Sequence, residues 1–246
     1  MPCFTKVKHE KPLQVKKLKE RKPDKTNIHP ALPQHPFMLG ICAPRKSGKT
    51  HLCIDLLADK DKYKGFFDVI IIYSRSLVQD TKWHENLDLR CCIQRSRWNA
   101  AEAQGLFEDC RKLATMKMKP KPRVLWVLDD FITEGVSNPQ KMGVIEAIAT
   151  QGRHHGISCI FITQQYMKMS PPIRNNCTNL VVFRIRNARE LEKVTVENQE
   201  SCTDNEFKEI YDHATSVQFG FLHINNQASV QDRFTCCWDE TLKVEH

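Results

Sequence analysis

The sequence predicts an α/β fold in which helices cover both faces of a mostly parallel β-sheet. Apolar runs of strand length alternate along the chain with segments whose apolar residues recur at helical spacing. Several of these runs, such as 66–73, are apolar at nearly every position, as expected of strands buried on both faces. At 246 residues and 41% hydrophobic content, the chain can bury the core of one domain of this class.

The N-terminal segment is predicted to be a basic, flexible arm. Residues 1–25 contain nine Lys and Arg against three Asp and Glu, in a chain whose net charge is +8. Prolines at 30, 33 and 36 follow, so we divide the chain into an arm at 1–35 and a folded domain at 36–246. Such an arm suits a polyanion such as nucleic acid, through counterion release. A solvated arm or a nuclear-import signal is the alternative.

Composition argues against a membrane-spanning, secreted or zinc-ribbon protein. No apolar run approaches the roughly 18 residues of a membrane span, and the N-terminus lacks the apolar core of a secretory signal. The adjacent pairs Cys91-Cys92 and Cys236-Cys237 lack the spacing of zinc ligands, and others such as Cys42 lie inside apolar runs. We therefore expect reduced, mostly buried thiols in an intracellular protein.

The first predicted strand leads into a phosphate-binding loop. The apolar run 37–42 ends in a short polar loop, and Gly48-Lys49-Thr50 opens a segment with apolar residues at helical spacing. Strand, loop and helix in this order are typical of the P-loop, or Walker A motif, of proteins that bind ATP with Mg²⁺. The loop residues expected to contact the nucleotide are Ala43, Pro44, Arg45, Lys46, Ser47, Gly48, Lys49 and Thr50.

Two of these side chains have specific predicted roles. Lys49 would reach the β- and γ-phosphates, and the Thr50 hydroxyl would hold Mg²⁺. The pattern usually has glycine where Ala43 stands. Alanine is tolerated there if its φ stays negative, whereas Gly48 is expected to need glycine's freedom.

The remaining elements follow from periodicity and capping signals. In chain order we predict a strand at 66–73, a candidate strand at 87–93, a helix at 99–116 with a capping box at Asn99, a strand at 124–128, a helix at 139–151, strands at 156–163 and 180–183, helical segments within 187–214 with a capping box at Thr203, and a terminal hairpin of 217–224 and 230–236.

Two acids at the end of a buried strand are predicted to complete the nucleotide site. Asp129 and Asp130 directly follow the apolar run 124–128. Asp129 would orient Mg²⁺ and Asp130 would polarise the water that attacks the γ-phosphate. The alternative is an ordinary strand-ending Asp-Asp turn.

The next apolar strand ends at a glutamine. In P-loop ATPases that place a strand between the loop strand and the acid strand (the ASCE, RecA-like arrangement), a polar residue here contacts the γ-phosphate. We assign this role to Gln164. Gln165 is the alternative, because a shift of one residue reverses the face that a side chain occupies.

Two arginines are candidates for a finger that completes the site of a neighbouring subunit. Arg153 lies in the turn before the Gln164 strand, and Arg174 lies beyond it. An arginine finger is worth about 10³–10⁵ in rate. Exposed loop cations, or contacts to nucleic acid phosphates, are the alternatives. His154 and His155 lack a nearby acid or thiol at metal-ligand spacing.

With these residues in hand, the chain resembles the genome-packaging ATPases of large double-stranded DNA viruses and virophages, the poxvirus-type branch of the FtsK/HerA superfamily. The blocks that carry the resemblance are 41–50, 125–131, 152–166 and 173–180. Two positions depart from the superfamily pattern: most members have glutamate where Asp130 stands and glycine where Ala43 stands. The similarity spans about 37–185.

This resemblance implies an Mg²⁺-dependent ATPase that threads double-stranded DNA into a preformed capsid. It also implies a homo-oligomeric ring, pentameric or hexameric, and contact with viral capsid proteins. The implied location is intracellular, at the viral assembly site in cytoplasm or nucleus, or in association with the virion. Three alternatives stay open: a helicase-like P-loop ATPase of replication or recombination, a nucleotide-gated, non-catalytic module that binds DNA or capsid, and, least favoured, a small-molecule kinase.

Overall fold

Nine strands form one sheet within residues 28–131, 139–200 and 202–244, which the computed structural model describes. The strands are β1 (Met38–Cys42), β2 (Val69–Ser74), β3 (Cys92–Arg95), β4 (Val124–Asp129), β5 (Ile157–Thr163), β6 (Asn179–Phe183), β7 (Phe221–Asn225), β8 (Phe234–Cys236) and β9 (Glu240–Leu242). The helices are α1 (Lys49–Ala58), α2 (Lys82–Asn86), α3 (Ala100–Thr115), α4 (Pro139–Gln151), α5 (Pro171–Asn176), α6 (Ala188–Asn198) and α7 (Asp204–Ala214).

The strand order is β3-β2-β4-β5-β1-β6-β7-β8-β9. The first six strands in this order, from β3 across to β6, pair in parallel. The last three, β7, β8 and β9, add antiparallel strands at one side. β5 lies between β1 and β4, opposite Met38–Cys42 on one side and Val124–Asp129 on the other. The predicted mostly parallel sheet, with a strand inserted between the loop strand and the acid strand, is confirmed.

Side chains of the sheet supply two separate cores, one on each face. Along β4, Trp126 and Leu128 belong to the first core, whereas Leu125 and Val127 belong to the second. Buried residues of α3, α4, α6 and α7 pack in the first core, and those of α1 and α2 in the second. Helices therefore cover both faces, as the apolar strands required. No helix in the described ranges is long and apolar enough to cross a membrane.

The predicted terminal hairpin is present but shorter, and its first strand begins at Phe221 rather than Val217. The backbone turns sharply before this strand: Phe219 has a φ of 64°, and a Cβ on Gly220 would lie 2.7 Å from the Ala214 carbonyl oxygen. This close approach admits only glycine and ends the extended conformation. The edge strand β9 is short and polar, and no apolar run in the sequence predicts it.

The candidate strand at 87–93 is displaced toward the C-terminus in the structure. Residues Leu89–Cys91 form a 3₁₀ turn, and β3 begins at Cys92. The Asp88 carboxylate accepts a hydrogen bond from the Arg90 amide at 3.2 Å. This local bond satisfies a backbone donor that a strand would have paired, so pairing starts only after the turn.

The end of the predicted arm is packed against the domain. Residues 1–27 lie outside the described residues, but Ile28 and Leu32 are buried in the second core. The Tyr63 hydroxyl donates to the Pro33 carbonyl at 2.6 Å, and His35 Nδ1 lies 2.7 Å from Ser158 Oγ. Residues 28–35, which the sequence pattern assigns to the flexible arm, therefore belong to the packed chain.

A buried histidine links three neighbouring strands of the sheet. His223 of β7 is 1% exposed; its Nε2 lies 2.9 Å from Asn179 Oδ1 on β6, and its Nδ1 lies 2.9 Å from Thr235 Oγ1 on β8. Burial lowers the pKa of this imidazole to about 3, because the charged form would lose its hydration. The folded protein therefore holds His223 neutral, whereas the unfolded chain protonates it near its ordinary pKa.

We predict that His223→Gln makes the stability of the protein less dependent on pH between about 6.5 and 3. The wild type loses stability as the pH falls through this window, since the unfolded state binds a proton that the folded state excludes. The contribution of His223 to the slope approaches about 1.4 kcal/mol per pH unit. Urea unfolding at a series of pH values measures it, with exposed His154→Gln as the control. Equal slopes in wild type and His223→Gln would contradict the prediction.

Candidate nucleotide site

The loop between β1 and α1 curls back through local hydrogen bonds. The Ala43 amide donates to the Thr163 carbonyl at 3.0 Å, which ties the loop to the end of β5, and Ser47 Oγ donates to the Pro44 carbonyl at 2.6 Å. Gly48, the N-cap of α1, has a φ of 96°, a conformation that side chains rarely adopt. Ala43 is not among the residues with positive φ, so the missing glycine creates no backbone strain.

The two acids occupy the carboxyl end of β4. Asp129 is 3% exposed and accepts a hydrogen bond from Ser74 Oγ, at the end of β2, at 2.7 Å. Asp130 has a φ of 59°, and its amide donates to the Ile162 carbonyl of β5 at 3.1 Å. The turn after Asp129 thus orients the second acid across the end of β5.

Gln164 joins the end of β5 to this acid pair. Its Nε2 donates to Asp130 Oδ2 at 2.8 Å. Gln165, the register alternative, instead makes backbone bonds with Thr163: its carbonyl accepts from Thr163 Oγ1 at 3.0 Å. Both glutamines line the same cleft, but the amide of Gln164 is the one bonded to Asp130.

Burial dominates the electrostatics of Asp129. It raises the pKa of this carboxyl to about 6; the Ser74 hydrogen bond and the Lys49 charge oppose the increase, whereas the Asp130 charge adds to it. The positive charge of Lys49 favours the ionised form of this carboxyl. A cation beside Asp129 would offset the cost of keeping the carboxylate ionised in this buried position.

The strand ends open into one cleft of about 860 Å³. Its lining brings together the side chains predicted from separate parts of the sequence: Lys49 and Thr50 from the loop, Asp129 and Asp130 from β4, and Gln164 from β5. Pro44, Arg45, Lys46, Arg75, Ser76, Asp80, Gln165 and Lys168 complete the lining. The geometry predicted for this edge, with two sequence-distant strand ends meeting, is therefore present.

The cleft has the donor chemistry that Mg²⁺ requires. Mg²⁺ prefers oxygen ligands and usually binds through one or two carboxylates together with phosphates and water. The buried Asp129 Oδ1 has no hydrogen-bond partner among the described residues, and the hydroxyl-bearing Thr50 lines the same cleft. A carboxylate oxygen without a hydrogen-bond partner and a hydroxyl-bearing residue in one cleft fit a divalent cation.

The two candidate finger arginines do not enter this cleft. Arg153 lies in the 3₁₀ turn Gly152–His155 at the amino end of β5, and it is exposed. Gln164 follows the other end of that seven-residue strand, so about 23 Å of strand separates Arg153 from the acids. Within its own chain, Arg153 is therefore remote from the site.

Arg174 is committed to a structural ion pair. Its Nε and Nη2 donate to the two carboxylate oxygens of Glu197 at 2.8 and 3.0 Å, and the side chain is 9% exposed. The guanidinium also lies 5.4 Å from the ring centroid of Tyr166. A finger must leave its own surface and reach another subunit, so these contacts contradict that role for Arg174.

The end of β2 also contributes residues to the surroundings of the acids, which the sequence alone does not predict. Ser74, Arg75, Ser76 and Asp80 approach the acids because β2 pairs with β4, with Ser74 opposite Asp129. Arg75 Cζ also lies 5.7 Å from the ring centroid of Phe131, directly after the acids. The signal was present: Ser-Arg-Ser follows a fully apolar run, as Asp-Asp follows the run in β4. The sequence did not show that β2 and β4 are paired.

Comparison with solved structures supports the fold described above. B204, the DNA-packaging ATPase from Sulfolobus turreted icosahedral virus, has a TM-score of 0.54 at 16% identity, covering 78% of this chain and 94% of that chain. B204 of Sulfolobus turreted icosahedral virus 2, in complex with ATPγS, has a TM-score of 0.52 at 15% identity, covering 78% and 92%. No protein-family model and no curated protein sequence matches the chain.

A conjugation protein has the same fold. The pCW3 conjugation coupling protein TcpA, with ATPγS, has a TM-score of 0.55 at 13% identity, covering 82% of this chain and 61% of that chain. At such identities a structural match establishes the fold. The resemblance to packaging-type ATPases inferred from the sequence is thus confirmed at the level of the fold.

We predict that Ser74→Ala destabilises the protein by about 1.5–3 kcal/mol, because it removes the hydrogen bond donated to a buried, charged carboxylate. Urea unfolding at pH 8 measures the loss. Ser216→Ala is the control: Ser216 Oγ makes an exposed hydrogen bond to the His213 carbonyl, so its loss should stay within about 0.5 kcal/mol. Equal losses of stability in the two variants would show that the Ser74–Asp129 hydrogen bond stabilises the protein no more than an exposed one.

Proposed function

We propose that this chain is an ATP-driven motor that translocates double-stranded DNA, and that its task is to package a viral genome into a preformed capsid. The observation that carries the proposal is the cleft in which Lys49 and Thr50 meet Asp129, Asp130 and Gln164. Two further points support it: matching structures include DNA-packaging ATPases, and the sequence resembles the packaging branch of FtsK/HerA ATPases.

Each side chain of the cleft has a distinct role in this proposal. The loop amides and the Lys49 ammonium bind the β- and γ-phosphates and neutralise charge that develops during phosphoryl transfer. Thr50 and Asp129 hold Mg²⁺, which when bound neutralises further charge on the phosphate oxygens. Asp130 accepts hydrogen bonds from the attacking water and takes its proton.

The hydrogen bond between Gln164 and Asp130 offers a way to report the state of the γ-phosphate. The Gln164 amide can donate to Asp130, as it does at 2.8 Å, or to a phosphate oxygen nearby. The chain continues from Gln164 into the 3₁₀ turn Tyr166–Lys168, where the Met167 amide donates to Glu190 of α6 at 3.0 Å. A change of partner at Gln164 would therefore act on the chain that contacts α6.

We propose a homo-oligomeric ring, pentameric or hexameric, as the sequence resemblance implies, whose subunits act on the DNA in turn. Arg153 is exposed and remote from its own site, and we propose that it contacts the nucleotide of a neighbouring subunit or the DNA backbone. Viral capsid proteins would hold the ring at the opening through which DNA enters the capsid. The site of action is the place of viral assembly inside the host cell.

We predict that Asp130→Asn and Lys49→Ala separate chemistry from binding. Asp130→Asn should lower kcat for ATP by about 10²–10⁴-fold, since it removes the general base. Its affinity for ATPγS should stay within about threefold, because asparagine tolerates the left-handed φ of 59°. Lys49→Ala should lose ATPγS binding, whereas the exposed Lys60→Ala should match the wild type.

Phosphate release and equilibrium binding measure these outcomes, and adding duplex DNA tests the motor. Long blunt duplex should stimulate turnover without strand separation. Preference for a forked substrate, with unwinding, would favour a helicase. Binding of ATP without turnover would favour a nucleotide-gated, non-catalytic module. Turnover that survives Lys49→Ala would refute the site itself.

We predict that deletion of residues 1–25 flattens the salt dependence of duplex DNA affinity. Each lost phosphate contact should reduce the slope of log K against log salt by roughly 0.9. Fluorescence anisotropy, recorded at salt concentrations from about 50 to about 200 mM, measures the slope. Substitution of the same nine basic residues by glutamine in the full chain is the control for chain length. An unchanged slope would assign the arm another role.

A further inference from the structure

A second cleft lies on the other side of the P-loop. It has a volume of about 570 Å³, and it shares Pro44, Arg45 and Lys46 with the cleft that holds the acids. Its far wall comes from the end of β6, at Phe183, Arg184 and Arg186, and from the loop 215–220 that leads into β7. The two clefts therefore adjoin each other across the loop residues Pro44, Arg45 and Lys46.

The far wall presents an aromatic ring to solvent. Phe219 is 58% exposed and has a φ of 64°, which is uncommon for a bulky residue. Its ring lies against the P-loop: Phe219 Cδ1 would be 3.3 Å from a Cβ on Gly48. An aromatic side chain that is this exposed, on a strained backbone, stabilises the fold little. Core packing therefore does not explain a phenylalanine at this position.

The loop that carries Phe219 is held in place from both ends. Thr215 Oγ1 donates to the Tyr211 carbonyl of α7 at 2.8 Å, and the Gly220 amide donates to the Val217 carbonyl at 3.0 Å. The next residue, Phe221, is buried and packs edge-on against Trp238 with ring centroids 4.8 Å apart. The exposed ring therefore lies on a loop whose two flanking segments are held by hydrogen bonds and by the packing of Phe221.

We propose that this second cleft binds the nucleobase and ribose of the nucleotide, and that the Phe219 ring stacks on the face of the base. The inference rests on the proposed function, since it requires a nucleotide whose phosphates lie in the P-loop. A cleft of this volume is within the range of small-molecule sites. The guanidinium of Arg184, with Nη1 3.5 Å from the Thr215 carbonyl, lies beside the same opening.

Because the second cleft adjoins the P-loop, we favour the base of a bound nucleotide over a base of single-stranded nucleic acid. Three loop residues line both clefts, so one ligand can place its phosphates over Lys49 and its base against Phe219. Stacking tolerates every base, because each has a π-face. The site therefore recognises nucleoside triphosphates as a class, and ring stacking by itself does not select adenine over guanine.

Binding of two ligands that differ only in the nucleoside tests this assignment. The ligands are ATPγS and inorganic tripolyphosphate, titrated by calorimetry into the full-length wild type, Phe219→Ala and Phe219→Trp. Phe219→Ala should weaken ATPγS binding roughly 10- to 100-fold and leave tripolyphosphate binding within about twofold. Phe219→Trp should retain ATPγS affinity. Val196→Ala, which also removes an exposed apolar side chain, should match the wild type with both ligands.

A spectroscopic readout separates stacking from a change in loop shape. In Phe219→Trp, ATPγS should quench the fluorescence of the new indole relative to the wild type with its four tryptophans, and tripolyphosphate should not. Equal weakening of both ligands by Phe219→Ala, or no weakening of ATPγS, would overturn the inference. A wild type that binds both ligands equally well would overturn it too, while leaving the P-loop assignment intact. A wild type that binds neither ligand would overturn the proposed function, and this inference with it.

Discussion

The parallel pairing of β1, β5 and β4 is the constraint on which the site depends. Parallel strands end at the same edge of the sheet, so the chain must bring the loop 43–50, Gln164 and the acid pair to one place. The insertion of β5 between the other two strands sets the order across the cleft. Gln164 can reach Asp130 only because its strand lies beside β4, and the Ala43 amide can bond to Thr163 only because it also lies beside β1.

The sheet edge at which β1, β4 and β5 end contains a buried charge and strained backbone, and both features suit ligand binding. Asp129 is buried with one oxygen bonded to Ser74, and its raised pKa reflects the cost of keeping it charged. Three non-glycine residues around the two clefts, Lys46, Asp130 and Phe219, have positive φ. Sparsely populated backbone conformations persist where the surrounding structure enforces them, and they concentrate at functional sites. Here the sheet and its helices supply the stability that the edge lacks.

Much of the site could be predicted because its signals are local. Gly48-Lys49-Thr50 after an apolar run, and Asp129-Asp130 after another, each describe a strand end in a few consecutive residues. The contacts of Arg174 could not be predicted in this way. Its partner Glu197 lies 23 positions away on α6, and nothing in the local pattern distinguishes a paired arginine from an available one. Ser74 and Phe219 escaped notice for the same reason, since each matters through a neighbour in space.

The sequence by itself determined the class of fold, the strands that end in polar residues, and the glycine that the loop requires. These features follow from periodicity and backbone sterics, which act over a few residues. Tertiary structure alone decided which strand ends meet, which arginine is consumed by an ion pair, and that residues 28–35 pack against the domain. Those outcomes depend on strand order and side-chain contact across long separations, because burial and electrostatics respond to distance in space and not to distance along the chain.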